Sequence, residues 1–233
     1  ERSVVKKAIY GLGPEEEILA RSGTDSVQRH SMQKLAPCSW LNDEVIHYFL
    51  LMLAVRDENM CKEDPSRSRS HFFKSFFVTK LLDGPEGYSY KNVKRWSKKV
   101  PGKDIFGLSK IFFPVNVGGV HWTCVAVHMK EKRVQYYDSM GDGGSEYLEG
   151  IFKYLKDEHQ NKKGCPLPDE EQWELVECTC DTPRQQNGFD CGVFTCMFCD
   201  FLSRGCPLTF SQEHVTQCRE RIALSIMNGS AIH

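Results

Sequence analysis

The segment between residues 110 and 138 constrains the fold of this chain more than any other part of its sequence. An apolar run, KIFFPV, is followed by the turn-forming pair Gly118-Gly119 and then by a second run, HWTCVAVH. A short polar turn at Lys130–Lys132 leads from there into a third run, RVQYYD. Runs of β-branched and aromatic residues separated by short turns are typical of antiparallel strands. We therefore predict three consecutive strands in this segment.

Helical patterns lie on both sides of the predicted strands. In the stretch WLNDEVIHYFLLMLAV, Asn42 or Asp43 can cap a helix, and the apolar residues that follow have the spacing of a broad buried stripe. A short helical turn is expected at 31–35, and longer helices are expected at 146–159, 193–202 and 211–227. Helices around one mixed sheet define the class α+β.

Three further segments have less regular patterns. The run HFFKSFFVTKLL, residues 71–82, is too apolar for the surface and is compatible with either a strand or a helix. The polar residues 57–71 are expected to form a loop. The basic stretch YKNVKRWSKKV, between Tyr88 and Val100, fits either a solvated helix face or a docking surface for an acidic partner.

The length of 233 residues favours one domain. We expect residues 1–22 to be a lead-in segment of uncertain order and residues 23–233 to form a single domain. The net charge of −1 provides no field that would indicate nucleic acid or a membrane surface as a partner. The sequence has no apolar run of about 18 residues and no secretory signal in its opening ERSVVKK. Because it does not begin with Met, we expect it to be a fragment of a longer protein.

Eleven cysteines are spaced irregularly along the chain, and several lie inside apolar runs. A chain of this length does not need disulfides for stability, so we expect reduced thiols in the cytosol or nucleus. A zinc site is the competing interpretation, because several thiols have the spacing of ligand pairs. Its candidate ligands are Cys178, Cys180, Cys196, Cys199, His214 and Cys218. The apolar helical setting of Cys196 and Cys199 favours buried thiols, so no metal or other cofactor is expected.

His121 begins the second predicted strand and Asp138 ends the third. If the turn between these strands has an even number of residues, the two side chains share one face of the hairpin. A two-residue loop at 130–131 pairs Thr123 with Asp138, and a four-residue loop shifted by one pairs His121 with Asp138 or its neighbours. In both registers the carboxylate lies within about one diagonal of the imidazole and can orient it. Taken alone, His121 fits a structural histidine and Asp138 fits the start of the turn DSMGDGG.

The stretch GFDCGVF places Cys191 where a loop becomes an apolar helix that we expect to begin near residue 192. Backbone N–H groups at a helix N-terminus favour negative charge, which gives a thiol thiolate character. Gly188 and Gly192 leave room for the backbone of a substrate. A nearby imidazolium would lower the pKa of the thiol further and prepare it to attack a carbonyl. Taken alone, a cysteine here fits a small buried core residue.

Attack on a carbonyl also requires donors for the oxyanion that forms. The backbone N–H of Cys191 is one candidate, and the side-chain amide of Gln185 or Gln186 is another. Each of these residues alone is a weak signal. Their joint occurrence with His121 and Asp138 favours nucleophilic catalysis.

These motifs together resemble the catalytic domain of the Ulp/SENP cysteine proteases, which process SUMO and belong to the papain-like superfamily. The resemblance extends from about residue 18 to about residue 228 and includes the chain order His, Asp, Cys. It is carried by the motifs WLND at 40–43, HW at 121–122, YDSMG at 137–141 and QQNGFDCG at 185–192. It implies that Cys191 is the nucleophile, His121 the base and acid, Asp138 the orienting carboxylate, and Gln185 rather than Gln186 the oxyanion donor.

The same resemblance implies a surface that binds the substrate. Trp40 and Trp122 match the tryptophans that close a narrow slot over a Gly-Gly tail, with Gly192 beside it, so that larger side chains are excluded. Asp43 matches an acid that pairs with an arginine of SUMO, and Arg95-Trp96 matches a basic–aromatic pair of the SUMO-processing branch. The competing interpretations are core anchoring for Trp40 and helix capping for Asp43.

The resemblance therefore implies a thiol protease that matures SUMO precursors at the Gly-Gly end and cleaves SUMO–lysine isopeptide bonds. Its partners would be SUMO or a related ubiquitin-like protein and its conjugates, with no nucleic acid, membrane or cofactor. A monomer in the nucleus or cytoplasm is expected. The alternatives are a protease for NEDD8 or another ubiquitin-like modifier, a non-catalytic SUMO-binding module on the same fold, and a zinc-dependent scaffold. Arg184 stands where the family commonly has proline, which leaves isoform preference open.

Overall fold

The computed structural model describes residues 2–232, which form two units. The first unit contains the residues up to Asp64 together with those from Pro183 onward, and the second unit is Pro65–Thr182. In chain order the helices and strands are α1 (Arg2–Tyr10), β1 (Ile18–Ser22), β2 (Asp25–Gln28), α2 (Arg29–Met32), α3 (Asp43–Glu63), β3 (Ser70–Phe72), α4 (Phe76–Leu82), β4 (Lys110–Val117), β5 (His121–His128), β6 (Arg133–Tyr137), α5 (Ser145–Lys163), β7 (Glu174–Val176), α6 (Cys191–Arg204) and α7 (Val215–Asn228).

A five-stranded mixed sheet with the order β3-β4-β5-β6-β7 organises the second unit. The three predicted strands are its antiparallel centre, and the outer strands β3 and β7 pair parallel to their neighbours. The predicted glycine turn joins β4 to β5, with Gly118 at φ 59° and Gly119 at φ 77°, conformations that glycine adopts without strain. The predicted class, α+β with a mixed sheet, is confirmed.

Helices α4 and α5 pack against one face of this sheet. Phe113 from β4 and Phe77 from α4 meet with ring centroids 5.0 Å apart, and Tyr154 from α5 approaches Phe77 edge-on at 4.9 Å. Alternation along β5 brings Val125 and Val127 to the same core. His121 is separated from these two valines by an even number of positions, so the strand carries it on this face, at the end of the sheet.

Helices dominate the first unit, where α3 lies against α6 and α7, and α1 lies against α7. The N-cap of α3 is Asn42, whose Oδ1 accepts a hydrogen bond from the backbone N–H of Val45 at 3.1 Å. α6 is buried almost along its whole length, as its apolar sequence predicts. In α7, four residues at helical spacing form a buried stripe: Val215, Cys218, Ile222 and Ile226.

Several predicted boundaries were wrong. Much of the expected loop at 57–71 has regular secondary structure, because α3 continues to Glu63 and β3 begins at Ser70. The ambiguous run at 71–82 contains both the end of β3 and helix α4. The basic stretch between Tyr88 and Val100 forms short 3₁₀ turns instead of one helix. Strand β7 at the edge of the sheet was not predicted.

The lead-in expected at 1–22 contains defined elements from residue 2 onward, namely α1 and β1. α1 buries Val5, Ala8 and Ile9, which gives this segment a packed apolar side. The domain boundary at residue 23 stays a prediction. Among the described residues, none of the helices has the length and apolar character needed to cross a bilayer.

Candidate active site

His121 and Asp138 form a hydrogen-bonded pair at the end of the β5–β6 hairpin. Nε2 of the imidazole lies 2.7 Å from Oδ1 of the carboxylate. The His121 side chain keeps 15 % of its surface exposed, whereas the Asp138 side chain keeps 1 %. A buried carboxylate at this distance orients the ring and stabilises its protonated form. The predicted proximity of the two side chains is confirmed, and their catalytic roles stay a prediction.

The register of the hairpin explains why these two residues meet. β5 and β6 pair with His128 opposite Arg133. Carried to the open end of the hairpin, the same register places Thr123 opposite Asp138 and leaves His121 one diagonal away. This is the first of the two registers considered from the sequence. The segment 129–132 between the strands has an even number of residues, which preserves the shared face.

Asp138 is held by more than the imidazole. Its Oδ1 also accepts the backbone N–H of Met140 at 2.8 Å, and its Oδ2 accepts that of Asp142 at 3.2 Å. Burial alone would raise the pKa of Asp138, but the hydrogen bond from His121 and the two backbone donors outweigh it and lower the pKa. The carboxylate therefore both starts the following turn and stays ionised beside His121.

Cys191 is the first residue of α6 and is 3 % exposed. The preceding residue, Asp190, stands at the N-cap position, and its carbonyl accepts the N–H groups of Val193 and Phe194. The first N–H groups of a helix have no acceptor within the helix and create a partial positive charge at its start. Cys191 therefore stands at the positive end of the α6 dipole, one residue before the predicted helix start.

Gln185 lies in the loop that approaches Cys191. Its Nε2 donates to the backbone carbonyl of Asn187 at 2.5 Å, which fixes the amide group within the loop. Gln186 is exposed, and its backbone N–H donates to Oε1 of Gln212 at 2.8 Å. The half-buried and fixed Gln185 is thus the better candidate for an oxyanion donor.

The sequence analysis did not single out a buried ion pair next to Cys191. Nη2 of Arg219 lies 2.6 Å from Oδ1 of Asp190, and the two side chains are 3 % and 2 % exposed. The sequence of α7 does indicate that Arg219 is buried, because helical spacing places it between Val215 and Ile222 on the buried stripe. A charged residue at such a position needs a buried partner.

Trp40 and Asp43 lie on either side of the N-cap of α3. The Trp40 side chain is 51 % exposed, which is more than a core anchor of the helix would retain. Because Asn42 caps the helix, the exposed carboxylate of Asp43 is not needed for that bond. Its position in the first turn still suits the helix dipole. Both residues therefore have surface available for a partner.

Trp122, Arg95 and Trp96 belong to the second unit. Trp122 follows His121 on β5 and is 6 % exposed. Trp96 is half-buried, and its ring meets Phe77 edge-on at 5.5 Å, so it also anchors its segment to the core. Arg95 is exposed.

The neighbours of Arg95 form a basic surface, which we define as the exposed side chains Lys91, Lys94, Arg95, Lys98 and Lys99. Val93, Ser97 and Val100 alternate with them and are buried. Within the part of the chain that the structure describes, no ion pair involves a member of this basic surface. Its charge is therefore not compensated by an ion pair within residues 2–232.

Gly192 has a packing role that the sequence did not reveal. A Cβ on this residue would lie 2.9 Å from Cβ of Leu41 and 3.3 Å from Cδ1 of Ile46. A Cβ on Gly188 would meet nothing within 4 Å. Close approach of α6 to the start of α3 therefore requires glycine at 192, whereas the space around Gly188 is open.

The structure places all eleven cysteines outside disulfide bonds. Cys196 and Cys199 are fully buried in α6, as the apolar pattern predicts. Cys178 donates its S–H to the backbone carbonyl of Asp138 at 3.2 Å. Among residues 2–232, no group of three or more His, Cys, Asp or Glu side chains has the geometry to hold a metal ion.

Residues 39–230 match the family model of the Ulp1 protease family, C-terminal catalytic domain. The chain is 34 % identical over 97 % of its length to ubiquitin-like-specific protease 1A of Arabidopsis thaliana, covering 44 % of that protein. It is also 34 % identical over 94 % of its length to human sentrin-specific protease 2, covering 35 % of that protein. The chain thus spans less than half the length of these relatives.

Among solved structures, the chain is similar to the C-terminal Ulp1 protease domain in complex with Smt3, the yeast ortholog of SUMO. The TM-score is 0.77 and the identity is 28 %, with 97 % of this chain and 93 % of that chain covered. The matched range 39–230 includes every candidate site residue named above.

Proposed function

This chain belongs to the Ulp1 protease family, and on that premise we propose that it is a thiol protease that cleaves after the C-terminal Gly-Gly of SUMO. It would mature SUMO precursors and hydrolyse SUMO–lysine isopeptide bonds. The observation that carries the proposal is the 2.7 Å hydrogen bond between His121 and Asp138, together with the position of Cys191, the only cysteine that begins a helix among residues 2–232. The similarity to a domain solved with the yeast ortholog of SUMO supports the choice of modifier.

The hydrogen bond assigns different roles to the two ring nitrogens of His121. Because Nε2 faces Asp138, we assign Nδ1 to the thiol of Cys191. Nδ1 takes the thiol proton, and the thiolate attacks the carbonyl carbon of the terminal glycine. Asp138 stabilises the imidazolium that results.

The tetrahedral intermediate then collapses with transfer of one proton. The backbone N–H of Cys191 and the amide of Gln185 stabilise its oxyanion. Nδ1–H of His121 protonates the leaving lysine amine, and a thioester to Cys191 remains. Water attacks the thioester while His121 accepts a proton from it, which releases the glycine carboxylate and regenerates the thiol.

The substrate would be selected by shape near the scissile bond and by charge further away. Trp40 and Trp122 would form the slot for Gly-Gly, which two indole rings restrict to residues without side chains. Gly192 would border this slot through its backbone. Packing against Leu41 already requires glycine at this position, so the absence of a side chain is not by itself evidence of substrate binding. Asp43 would pair with a cation of the modifier.

Arg95 and Trp96 would contribute to docking through the basic surface, whose exposed cations have no ion-pair partner among the described residues. Such a surface attracts an acidic partner and raises its association rate more than its final affinity. The eleven cysteines outside disulfide bonds fit a reducing compartment, so we propose action in the nucleus or cytoplasm.

The proposal is tested with SUMO that carries an electrophile at its C-terminal glycine. We expect a covalent adduct at Cys191, identified by peptide mapping, and its loss in Cys191→Ser. The matched control is Cys180→Ser, which changes an exposed thiol elsewhere and should label like the wild type. Cys191→Ser should still bind SUMO while cleaving none of it.

Parallel incubation with SUMO and NEDD8 precursors tests the modifier. Cleavage of NEDD8 but not SUMO would replace the proposed substrate and keep the chemistry. Binding of SUMO without cleavage by the wild type would instead identify a non-catalytic module. Stoichiometric zinc in the purified protein would contradict the interpretation of its thiols as reduced and unliganded.

A further inference from the structure

A buried carboxylate directly precedes the candidate nucleophile. Asp190 stands at the N-cap position of α6, yet its side chain makes no capping bond to that helix. Its Oδ1 accepts Nη2 of Arg219 at 2.6 Å, and its Oδ2 accepts Nδ2 of Asn187 at 2.6 Å and Nε2 of Gln212 at 2.8 Å. An aspartate at an N-cap usually bonds to the first turn. Here the three hydrogen bonds to the carboxylate come from donors outside α6.

The guanidinium that neutralises Asp190 also holds the segment before Trp40. Nη1 of Arg219 donates to the backbone carbonyls of Lys34 and Ala36 at 3.0 and 3.1 Å. Its Nη2 donates to the carbonyl of Ser39 at 2.7 Å, one residue before Trp40. Only the planar fork of arginine presents donors in several fixed directions at once. One side chain therefore links the Trp40 segment to the residue before Cys191.

The same network reaches the candidate oxyanion donor. Asn187, which donates to Asp190, accepts the amide of Gln185 at its backbone carbonyl. Its Oδ1 accepts the backbone N–H groups of Phe189 and Asp190, both at 3.1 Å. Hydrogen bonds thus hold the loop 185–190 to Asp190, and an ion pair holds Asp190 to Arg219.

The charges in this network act on any thiolate at Cys191. An ionised carboxylate on the neighbouring residue disfavours a second negative charge, unless a cation compensates it. Burial alone would raise the pKa of Asp190, but the bonds from Arg219, Asn187 and Gln212 lower it, so Asp190 stays ionised. The other titratable group of α7 near this charge is Cys218, whose pKa burial raises to about 11, so it stays neutral.

We propose that Arg219 is a positioning residue of this site, which acts through Asp190. It neutralises the carboxylate beside Cys191, so that the thiol ionises without repulsion, and it fixes the Trp40 segment and the Gln185 loop to each other. This inference rests on the proposed function, because it treats Cys191 as the nucleophile.

The test measures the reactivity of Cys191 with iodoacetamide across a range of pH, followed at that residue by tandem mass spectrometry. Replacement Arg219→Met leaves the Asp190 charge uncompensated. We expect the alkylation profile to move to higher pH by about one unit, with a roughly tenfold slower reaction near neutral pH. Arg219→Lys, which keeps the cation, should recover a large part of the rate.

Two further variants separate charge from folding. Asp190→Asn removes the carboxylate and leaves the guanidinium, so its profile should move to lower pH, opposite to that of Arg219→Met. The double variant D190N/R219M removes both charges and should react within about threefold of the wild type. The matched control is Arg221→Met on the same helix. The guanidinium of Arg221 bonds to Asp200 and not to Asp190, so Cys191 in this variant should be alkylated at the wild-type rate.

An unchanged profile in Arg219→Met, or a double variant as slow as Arg219→Met, would overturn the proposal. If Arg219→Met does not fold, as judged by circular dichroism, the direction of the shift in Asp190→Asn decides: a shift to higher pH overturns it. Alkylation does not require SUMO, so a wild type that fails to cleave SUMO would refute the proposed function separately.

Discussion

Replacing Asp138 by asparagine removes the charge that faces His121 with little change of shape. At the observed separation of 2.7 Å, the attraction between unit charges is about 6 kcal/mol at an effective dielectric constant of about 20. Neighbouring dipoles and water recover part of this energy in the variant. Each 1.36 kcal/mol of stabilisation that is not recovered lowers the rate by about a factor of ten. We therefore expect kcat/KM for SUMO cleavage to fall by about 10²- to 10⁴-fold.

The hydrogen bonds of Asp138 add to this effect. Its two carboxylate oxygens accept from His121 and from the backbone N–H groups of Met140 and Asp142. An asparagine presents one oxygen and one NH₂ group, so at least one of these donors would face another donor. The turn after β6 should loosen slightly, or the imidazole should lose its preferred orientation.

The assay is hydrolysis of a fluorogenic amide at the C-terminus of SUMO, with Asp181→Asn as the matched control on an exposed residue of the same unit. We expect the control to retain wild-type kcat/KM. A value for Asp138→Asn within threefold of the wild type would refute the role of the pair. Equal losses of kcat/KM in Asp138→Asn and Asp181→Asn would indicate a general effect of removing negative charge from the protein.

The lowered pKa of Asp138 also predicts how the stability of the fold depends on pH. A carboxylate with a depressed pKa stabilises the folded state above its ordinary pKa of 3.8. This contribution is lost as the pH falls through the lower value of the folded state. In urea unfolding at several pH values, Asp138→Asn should therefore lose stability less steeply below about pH 4 than the wild type. Parallel curves for the two proteins would contradict this.

Two further predictions concern packing and docking. Gly192→Ala should lower the free energy of unfolding by about 1–3 kcal/mol, because its Cβ meets Leu41 at 2.9 Å. Gly188→Ala, in open space, should change it by less than about 0.5 kcal/mol in denaturant titrations, and equal effects would argue against the close approach of α6 and α3. Asn42→Ala should cost about 1 kcal/mol of stability by removing the cap. Asp43→Ala should instead raise KM for SUMO, leave kcat unchanged and cost less stability than Asn42→Ala, because it removes only a favourable charge from the helix dipole. A loss of stability equal to that of Asn42→Ala would indicate a structural role.

Interactions between residues close in the chain were predictable from the sequence. For a turn with an even number of residues, the alternation of side chains along β5 and β6 predicted that His121 and Asp138 share a face. The apolar run after Cys191 predicted a helix that begins near residue 192, one residue after the observed start. The cap of α3 was narrowed to Asn42 or Asp43, because capping depends on residues at the helix start, and the structure shows that it is Asn42.

Longer-range features depended on elements that the local pattern does not describe. Residues 57–71 were expected to form a loop, but α3 continues to Glu63 because Arg56 pairs with the buried Asp200 and Asp57 is also buried. The i,i+4 pair of Glu58 and Lys62 supports the added turns.

The sequence by itself determined the chemical groups of the candidate site and the local elements that carry them. Only the tertiary structure decided how the neighbourhood of Cys191 is neutralised. Arg219 stands on an otherwise apolar stripe, and its acceptors are Asp190 and the backbone carbonyls of Lys34, Ala36 and Ser39. Every residue has a backbone carbonyl, so the sequence does not show which carbonyls accept a hydrogen bond from Arg219. A buried cation therefore shows that a partner is needed, and the packed fold alone shows which groups provide it.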